Sequence, residues 1–321
     1  MQRQHFLRGA IATALLALAG GALAQAWPSK PVTVIIPFPP GGTLDVVGRQ
    51  LAKNLGDQLG QTFVVENRPG GAGTIGATAV TKAAADGYTL LFNASTFTTT
   101  PMTLKTPPYD IVRDFSPVAL VAKAPLAVAV NKNLPFNDLK GLIAHAKANP
   151  GKLSFAIGST GSAGHLATEL LKRAGGFELL IVPYKGTAPA FQDLIGGQID
   201  AFIDPVLGSA GFAKAGQLKV LAVTSNARLP NQPELATVGD SLPGFAFYSW
   251  YGLWGPAGLP RDIAQRLNSE VNKALGGEMK DRLTQQGLLL TPGSIDDFIK
   301  FQREDMAQSA RIIQDGKIRA E

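Results

Sequence analysis

Val32-Thr33-Val34-Ile35-Ile36-Pro37-Phe38-Pro39-Pro40-Gly41-Gly42-Thr43-Leu44-Asp45 is the stretch on which the fold turns. Val32 to Pro37 is short, β-branched and nearly all apolar, the pattern of a buried strand. Two further prolines and two glycines then stop it. From Thr43 onward, apolar residues recur at Val46, Val47, Leu51, Leu55 and Leu59, the spacing of one helix face. A buried strand joined to an amphipathic helix by a tight Pro/Gly turn is the first half of a βαβ unit. A parallel sheet covered by helices is therefore expected.

The turn is also the first candidate site. Gly41 and Gly42 allow a ligand close to the backbone, Thr43 suits a helix start, and Asp45 falls in the first turn, where the helix dipole favours an acid. Free N–H groups at such a start hold a carboxylate or phosphate without a formal cation. An ordinary βα turn with glycines serving geometry alone fits the same residues.

The alternation continues along the chain. Phe63–Val65, Tyr88–Phe92, Ala127–Val130, Leu153–Ile157, Leu179–Val182, Ile199–Ile203 and Leu218–Val223 read as strands. Helical stretches at Asn137–Ala148, Gly164–Gly175 and Ala188–Gly196 separate the later ones. Phe115 to Val130 holds two apolar runs interrupted by Lys123-Ala124-Pro125, and Phe245 to Trp254 is a β-rich aromatic run after the irregular Pro230–Gly244. These are the expected crossings between two lobes. The fold class expected is α/β, in two lobes joined by crossover strands with a ligand cleft between them. Its first lobe covers 27–123 plus 228–321, its second 124–227.

The N-terminus sets the compartment. Arg3 and Arg8 precede an apolar run from Gly9 to Leu23 that ends in Ala22-Leu23-Ala24, with a second small-x-small site at Ala24–Ala26. This is a cleavable secretory signal over residues 1–24, and it is short of the ~20 residues that span a bilayer. The periplasm is expected. With no cysteine there is neither a lipoprotein anchor nor a disulfide framework. The net charge of +6 includes the two leader arginines, and the remaining Lys and Arg are spread along the chain, so no nucleic-acid surface is expected.

Ile157-Gly158-Ser159-Thr160-Gly161-Ser162-Ala163-Gly164-His165 repeats the strand–loop–helix logic in the other half. Around Ser162 the frame is Thr160-Gly161-Ser162-Ala163-Gly164, with Thr160 where a nucleophile elbow has its first glycine. A secreted serine hydrolase using Ser162, His165 and Asp204 is the rival reading, although His165 follows too closely along the chain to reach back. No Cys exists, His145 and His165 are far apart, and no zinc, calcium or P-loop motif appears, so no metal and no cofactor are expected. Three more segments follow strands at the same sheet edge: Ser95, Thr96 and Phe97; Lys185, Gly186 and Thr187; and Asp204.

Gly70-Gly71-Ala72-Gly73-Thr74-Ile75-Gly76 matches G-x-G-x-x-G formally. Asn67-Arg68-Pro69 separates it from its strand, and no acid stands ~20 residues on, so a dinucleotide turn is not expected. A close-packed turn and helix start, beside the first loop, fits better.

Trp27-Pro28-Ser29-Lys30-Pro31-Val32, the Pro37–Asp45 loop, Val65–Gly73, Ala85–Leu90, Pro183–Gly186, Gly197–Asp200 and Trp254–Gly258 together resemble the Bug-type, TctC-like solute-binding receptors of tripartite tricarboxylate transporters. The resemblance covers nearly the whole chain after the leader. It implies an α/β, two-lobed periplasmic binding protein fold in a non-catalytic receptor, a monomer, that closes on a small mono- or dicarboxylate and presents it to membrane permease subunits. A sensor feeding a signalling receptor would use the same module. One implied clamp is Phe38, Gly42, Thr43 and Asp45, the other Gly158, Ser159, Thr160, Gly161 and Ser162. Ser95, Thr96, Phe97, Lys185, Gly186, Thr187 and Asp204 then meet the far end of the ligand. This chain has Leu44 where the family pattern has a threonine, so that position offers its backbone alone. Phe97 points to an apolar or aromatic ligand body.

Overall fold

The computed structural model describes residues 27–320. The expected leader lies outside them. The chain's first strand, β1 (Val32–Ile36), leads through the Pro/Gly turn into helix α1 (Thr43–Leu59), the bounds its periodicity sets. β2 (Phe63–Asn67) and β3 (Thr89–Ala94) lie parallel to β1 on either side, with α2 (Thr74–Thr81) between them. Val34, Ile36, Leu90 and Phe92 pack on Val47, Leu51 and Leu55 of α1, and all are nearly inaccessible. Helix α3 (Thr96–Thr103) follows β3 almost at once. A short turn of helix, α4 (Ile111–Asp114), is capped by the Asp110 carboxylate.

The next strand, β4, runs unbroken from Phe115 to Asn131. Lys123-Ala124-Pro125 does not interrupt it, so the two apolar runs, with the strand expected separately at Ala127–Val130, form one crossing strand. Its first part, to Pro125, pairs antiparallel with β9 (Tyr248–Pro256), and its second, from Leu126, pairs antiparallel with β7 (Ala201–Pro205) and β8 (Leu218–Val223). The proline stands where the strand exchanges one partner for another, so its missing N–H breaks no continuous ladder. β4 thus crosses from one lobe to the other.

In the second lobe, α5 (Leu139–Ala148) precedes β5 (Ser154–Ile157), and α6 (Ala163–Gly175) and α7 (Thr187–Gly196) flank β6 (Leu180–Pro183). β5 is parallel to both β6 and β7. Helix α8 (Val206–Lys214) starts directly from the end of β7. The ladders are therefore parallel at both margins, as the βαβ alternation leads one to expect, and antiparallel along the crossing strands β4 and β9. The strand order is β2-β1-β3-β9-β4-β7-β5-β6, with β8 and the short β10 (Leu289–Leu290) pairing to β4.

The chain returns between the lobes beside Thr224, whose hydroxyl accepts from the Leu126 amide at 2.9 Å and donates to the Phe247 carbonyl at 2.6 Å. Val238 and Phe247 pack with Leu126, Val128 and Phe155, whereas Tyr251 and Leu253 pack with the β1–α1 core. After α9 (Arg261–Gly276) and α10 (Glu278–Gln285), the last helix, α11 (Ile295–Asp315), spans both regions. Phe298 joins an aromatic cluster with Trp250 and Trp254, while Ile312 and Ile313 reach the core of β5 and α6.

Gly70 to Gly76 forms a tight turn and the start of α2. A Cβ at Gly76 would stand 2.7 Å from the Pro37 ring and 2.8 Å from the Arg68 carbonyl oxygen. Those glycines therefore let α2 press against the Pro37–Gly42 turn, as expected for a packing role.

Candidate ligand cleft

A cavity of about 90 Å³ lies between the lobes, at the carboxyl ends of β1, β3, β5 and β7. Five helices begin on its wall. α1 contributes Gly42, Thr43 and Leu44; α3 contributes Thr96; α6 contributes Ser162, Ala163 and Gly164; α7 contributes Gly186 and Thr187; and α8 follows Pro205. Each has eight or more residues, so each brings the positive end of its dipole to the cavity. At α1, α3, α7 and α8 no side chain caps the first turn. No side chain therefore competes for the first-turn N–H groups there, although the Thr98 amide of α3 donates to the Ser95 carbonyl and Pro189 of α7 has no N–H to offer. Among the described residues, no Lys, Arg or His lines the cavity. Backbone dipoles, not cationic side chains, make the cavity suited to an anion.

The first loop is held from behind. The Asp45 carboxylate is 4% exposed and accepts from the Gly41 amide at 3.0 Å, Arg49 Nε at 2.9 Å and Asn67 Nδ2 at 2.9 Å. Asn67 Nδ2 also donates to the Phe38 carbonyl at 3.0 Å, and Asn67 Oδ1 accepts from Arg49. Burial alone would raise the Asp45 pKa, but the bonds from Arg49, Gly41 and Asn67 outweigh it and hold the carboxyl below its usual value. Asp45 orients the loop and does not line the cavity.

The second loop is positioned differently. Ser162 caps α6, its hydroxyl accepting from the His165 amide at 3.3 Å. His165 Nδ1 accepts from the Gly161 amide at 3.2 Å. Burial, and next the nearby Lys172, push its pKa down to about 4, so the ring is neutral. Ser162 and His165 are thus both engaged with backbone, and they do not form the pair that the hydrolase reading required. The Gly161 carbonyl accepts from Thr99 of α3, so this loop bonds across the cleft. The lobes also approach where Thr187 Oγ1 lies 3.4 Å from the point a Cβ on Gly42 would take.

Of the residues expected from sequence, Phe38, Gly42, Thr43, Thr96, Gly158, Ser159, Ser162, Gly186, Thr187 and Asp204 meet at the cavity. Asp45, Ser95, Thr160, Gly161, Phe97 and Lys185 are not on its wall. Ser95 shares a 3.2 Å hydrogen bond with Ser249 Oγ beneath the wall, and Lys185 is exposed. Phe97 is a correction. It is 2% exposed and packs against Tyr109, Phe115 and Trp254, with ring centroids 5.3, 4.8 and 4.8 Å away. The segment is a helix, not a loop. Successive helical residues point about 100° apart, so with Thr96 on the cavity Phe97 turns into the core. The ring gives no support to an aromatic ligand.

Leu44, Ala94, Ala163, Gly164, Pro205, Ser249 and Tyr251 also line the cavity. Ser249 and Tyr251 come from β9 in the first lobe. A Ser and a Tyr two apart in an otherwise apolar strand was the available signal, since residues two apart share a face. Trp250 and Trp254, on the other face, enter the aromatic core.

The comparisons with known proteins agree with this geometry. The model of the tripartite tricarboxylate transporter family receptor, TctC, matches residues 47–318. Protein BugT of Bordetella pertussis is 37% identical over 299 residues, covering 90% of each chain. Among solved structures, an R. palustris protein with adipate superposes with a TM-score of 0.89 at 35% identity, over 91% of this chain and 99% of that one. MatC from Rhodopseudomonas palustris with bound malate gives 0.83 at 30% identity, over 89% of this chain and 100% of that one.

Proposed function

Because the chain belongs to the tripartite tricarboxylate transporter receptor family, we propose that it is an exported receptor that closes over a small organic carboxylate and delivers it to the membrane subunits of such a transporter. The observation that carries this reading is the convergence of five helix N-termini on a cavity with no cationic side chain. A carboxylate bridging amides from both lobes favours the closed form, because only that form offers both sets of donors. Phe38, Gly42 and Thr43 from one side, with Gly158, Ser159 and Ser162 from the other, are the proposed contacts. Adipate and malate in the neighbours support the ligand class, and the small cavity favours a short acid over a bulky one. The receptor acts as a monomer in the periplasm. Its second lobe takes in residues 224–247 and the end of α11, judged by their packing with β5 and α6.

A thermal-shift screen of carboxylates, amino acids, sugars and divalent metals tests the proposal. A ligand at ~100 times its Kd adds roughly 2.7 kcal/mol. A response to sugars or metals alone refutes the reading. Thr43→Pro then tests the loop. Thr43 is the first residue of α1 and follows Gly42 at φ −77°, ψ 168°, so proline fits there and removes the amide donor together with the side-chain hydroxyl, whereas Thr43→Val removes the hydroxyl alone. Weaker carboxylate binding with unchanged unfolding is the expected result.

A further inference from the structure

Three buried oxygen atoms at the cavity have no protein partner: Thr43 Oγ1, Asp204 Oδ2 and the Tyr251 hydroxyl. They come from α1, β7 and β9, and all three residues line the cavity. Asp204 is 7% exposed and Tyr251 is 1% exposed. A buried polar group left unpaired opposes folding, and three together on one wall point to a common partner. Asp204 Oδ2 and Thr43 Oγ1 flank Gly208, lying 2.8 and 3.3 Å from the point a Cβ there would occupy. Only a glycine leaves that space.

The charge surrounding Asp204 decides what the partner is. β7 is paired with β4 and β5, and opposite Asp204 on β4 stands Ala127. From α7 the near side chain is Phe191, and from α8 it is Gly208. His165 on α6 is neutral and bonded to the Gly161 amide. Lys185 is exposed and off the wall. The titratable group that faces Asp204 is the Tyr251 phenol, whose proton is held by burial and then by the Asp204 charge. Burial likewise pushes the Asp204 carboxyl well above its usual range. An ammonium on the ligand would neutralise an ionised Asp204, but the five helix N-termini that favour an anion oppose a cation in the same cavity.

From this juxtaposition, and resting on the carboxylate-receptor reading above, we infer that the cavity takes a short dicarboxylate together with one proton. The proton resides on Asp204, which donates to the ligand's second carboxylate beside the Tyr251 and Thr43 hydroxyls. Where Asp204 is ionised beforehand, a hydronium ion or buffer acid gives up the proton as the dianion enters, so one O–H bond forms on Asp204 while the donor's own bond to that proton breaks and leaves water or buffer base. A monocarboxylate fills the amide end and leaves the three hydroxyl donors unpaired, so it binds more weakly.

The test is titration calorimetry of the whole protein with malate and adipate, against butyrate, hexanoate and aspartate, from pH 5 to 9. Each titration is made in two buffers of different ionisation heat. The expected result is dicarboxylate binding with uptake of up to one proton per ligand, and affinity falling about tenfold per pH unit above the titration of free Asp204, since one unit corresponds to a factor of ten. Asp204→Asn keeps a donor that cannot titrate, and it flattens that slope and removes the proton uptake. Tyr251→Phe weakens dicarboxylates while preserving the slope. Dicarboxylate binding with no proton uptake and no pH slope overturns the inference and leaves the carboxylate reading standing. So does a preference for aspartate that Asp204→Asn abolishes. If no carboxylate binds at any pH, the receptor reading itself falls, and the inference with it.

Discussion

Asp45→Asn tests whether the first loop is prepared for its ligand by the carboxylate behind it. The substitution is nearly isosteric, yet no arrangement of the new amide satisfies the network. Asp45 Oδ2 accepts from Gly41 and Arg49, while Oδ1 accepts from Asn67. If the new –NH2 takes the Oδ1 place, it faces the Asn67 –NH2. Turning Asn67 over would give up its bonds to the Phe38 carbonyl and to Arg49 Nη2. If it takes the Oδ2 place, it faces two donors. The first arrangement is the less costly, and it exchanges one bond to a charged acceptor, worth about 1.5–3 kcal/mol, for a donor–donor contact. The ionic attraction adds little, because the Arg49 side chain is 50% exposed and surface pairs are worth about 0–1 kcal/mol. The expected loss is about 2–3 kcal/mol at neutral pH. Chemical unfolding of the ligand-free protein measures it, and calorimetry with a dicarboxylate measures the accompanying loss of affinity. The pH dependence follows from the direction of the shift. The folded Asp45 pKa lies below its unfolded value near 4, so its contribution is complete above that value and is lost as pH falls through the folded pKa. The difference between wild type and Asp45→Asn therefore stays constant above about pH 5 and narrows in acid. A loss below ~0.5 kcal/mol, with affinity unchanged, would refute the claim that Asp45 sets the loop.

Two further substitutions probe the cleft and the connection behind it. A Cβ at Gly164 would stand 2.1 Å from the Ile203 carbonyl oxygen, so Gly164→Ala must displace α6 from the end of β7. It should cost about 1–3 kcal/mol in unfolding and weaken carboxylate binding, and unchanged affinity would remove α6 from the proposed contacts. Asp305 on α11 has a buried carboxyl oxygen with no partner, and burial raises its pKa to about 6 against the pull of Trp250 and Lys123. This folded pKa is above the unfolded one, so ionised Asp305 opposes folding, and stability falls as pH rises between about 4 and 6. Asp305→Asn should gain roughly 1–2 kcal/mol at pH 7 and nothing below pH 4, read from thermal midpoints across pH.

Much of the architecture was legible because it is written in periodicity. The strand read from Val32 to Pro37, one residue beyond its end at Ile36, and the helical spacing from Thr43 to Leu59 mark one βα unit, since burial demands those patterns. The run from Phe115 to Asn131 was harder. Its Lys-Ala-Pro segment looks like a break in a list of propensities, and it ceases to be one only when two different neighbours share the strand. Phe97 shows the same limit at the site. One residue's rotation about α3 separates a ligand contact from a core ring, and sequence places a helix start no better than that. Asp204 was visible as an acid at a strand end, but its lack of a partner depends on Gly208, Tyr251 and Thr43, which are remote from it or unremarkable in sequence. The chief recognition device left no mark of its own in the amino-acid letters. Backbone N–H groups belong to every residue except proline, so an amide clamp cannot be read from residue type. What sequence could show is where strands hand over to helices through Gly and Ser, as at Gly41-Gly42-Thr43 and Gly161-Ser162-Ala163. Two such handovers in two halves of one chain announce an anion cleft only because the sheet brings their helix ends to a common edge. Gly70–Gly76, as rich in glycine, lies one layer behind and serves to hold that edge in place.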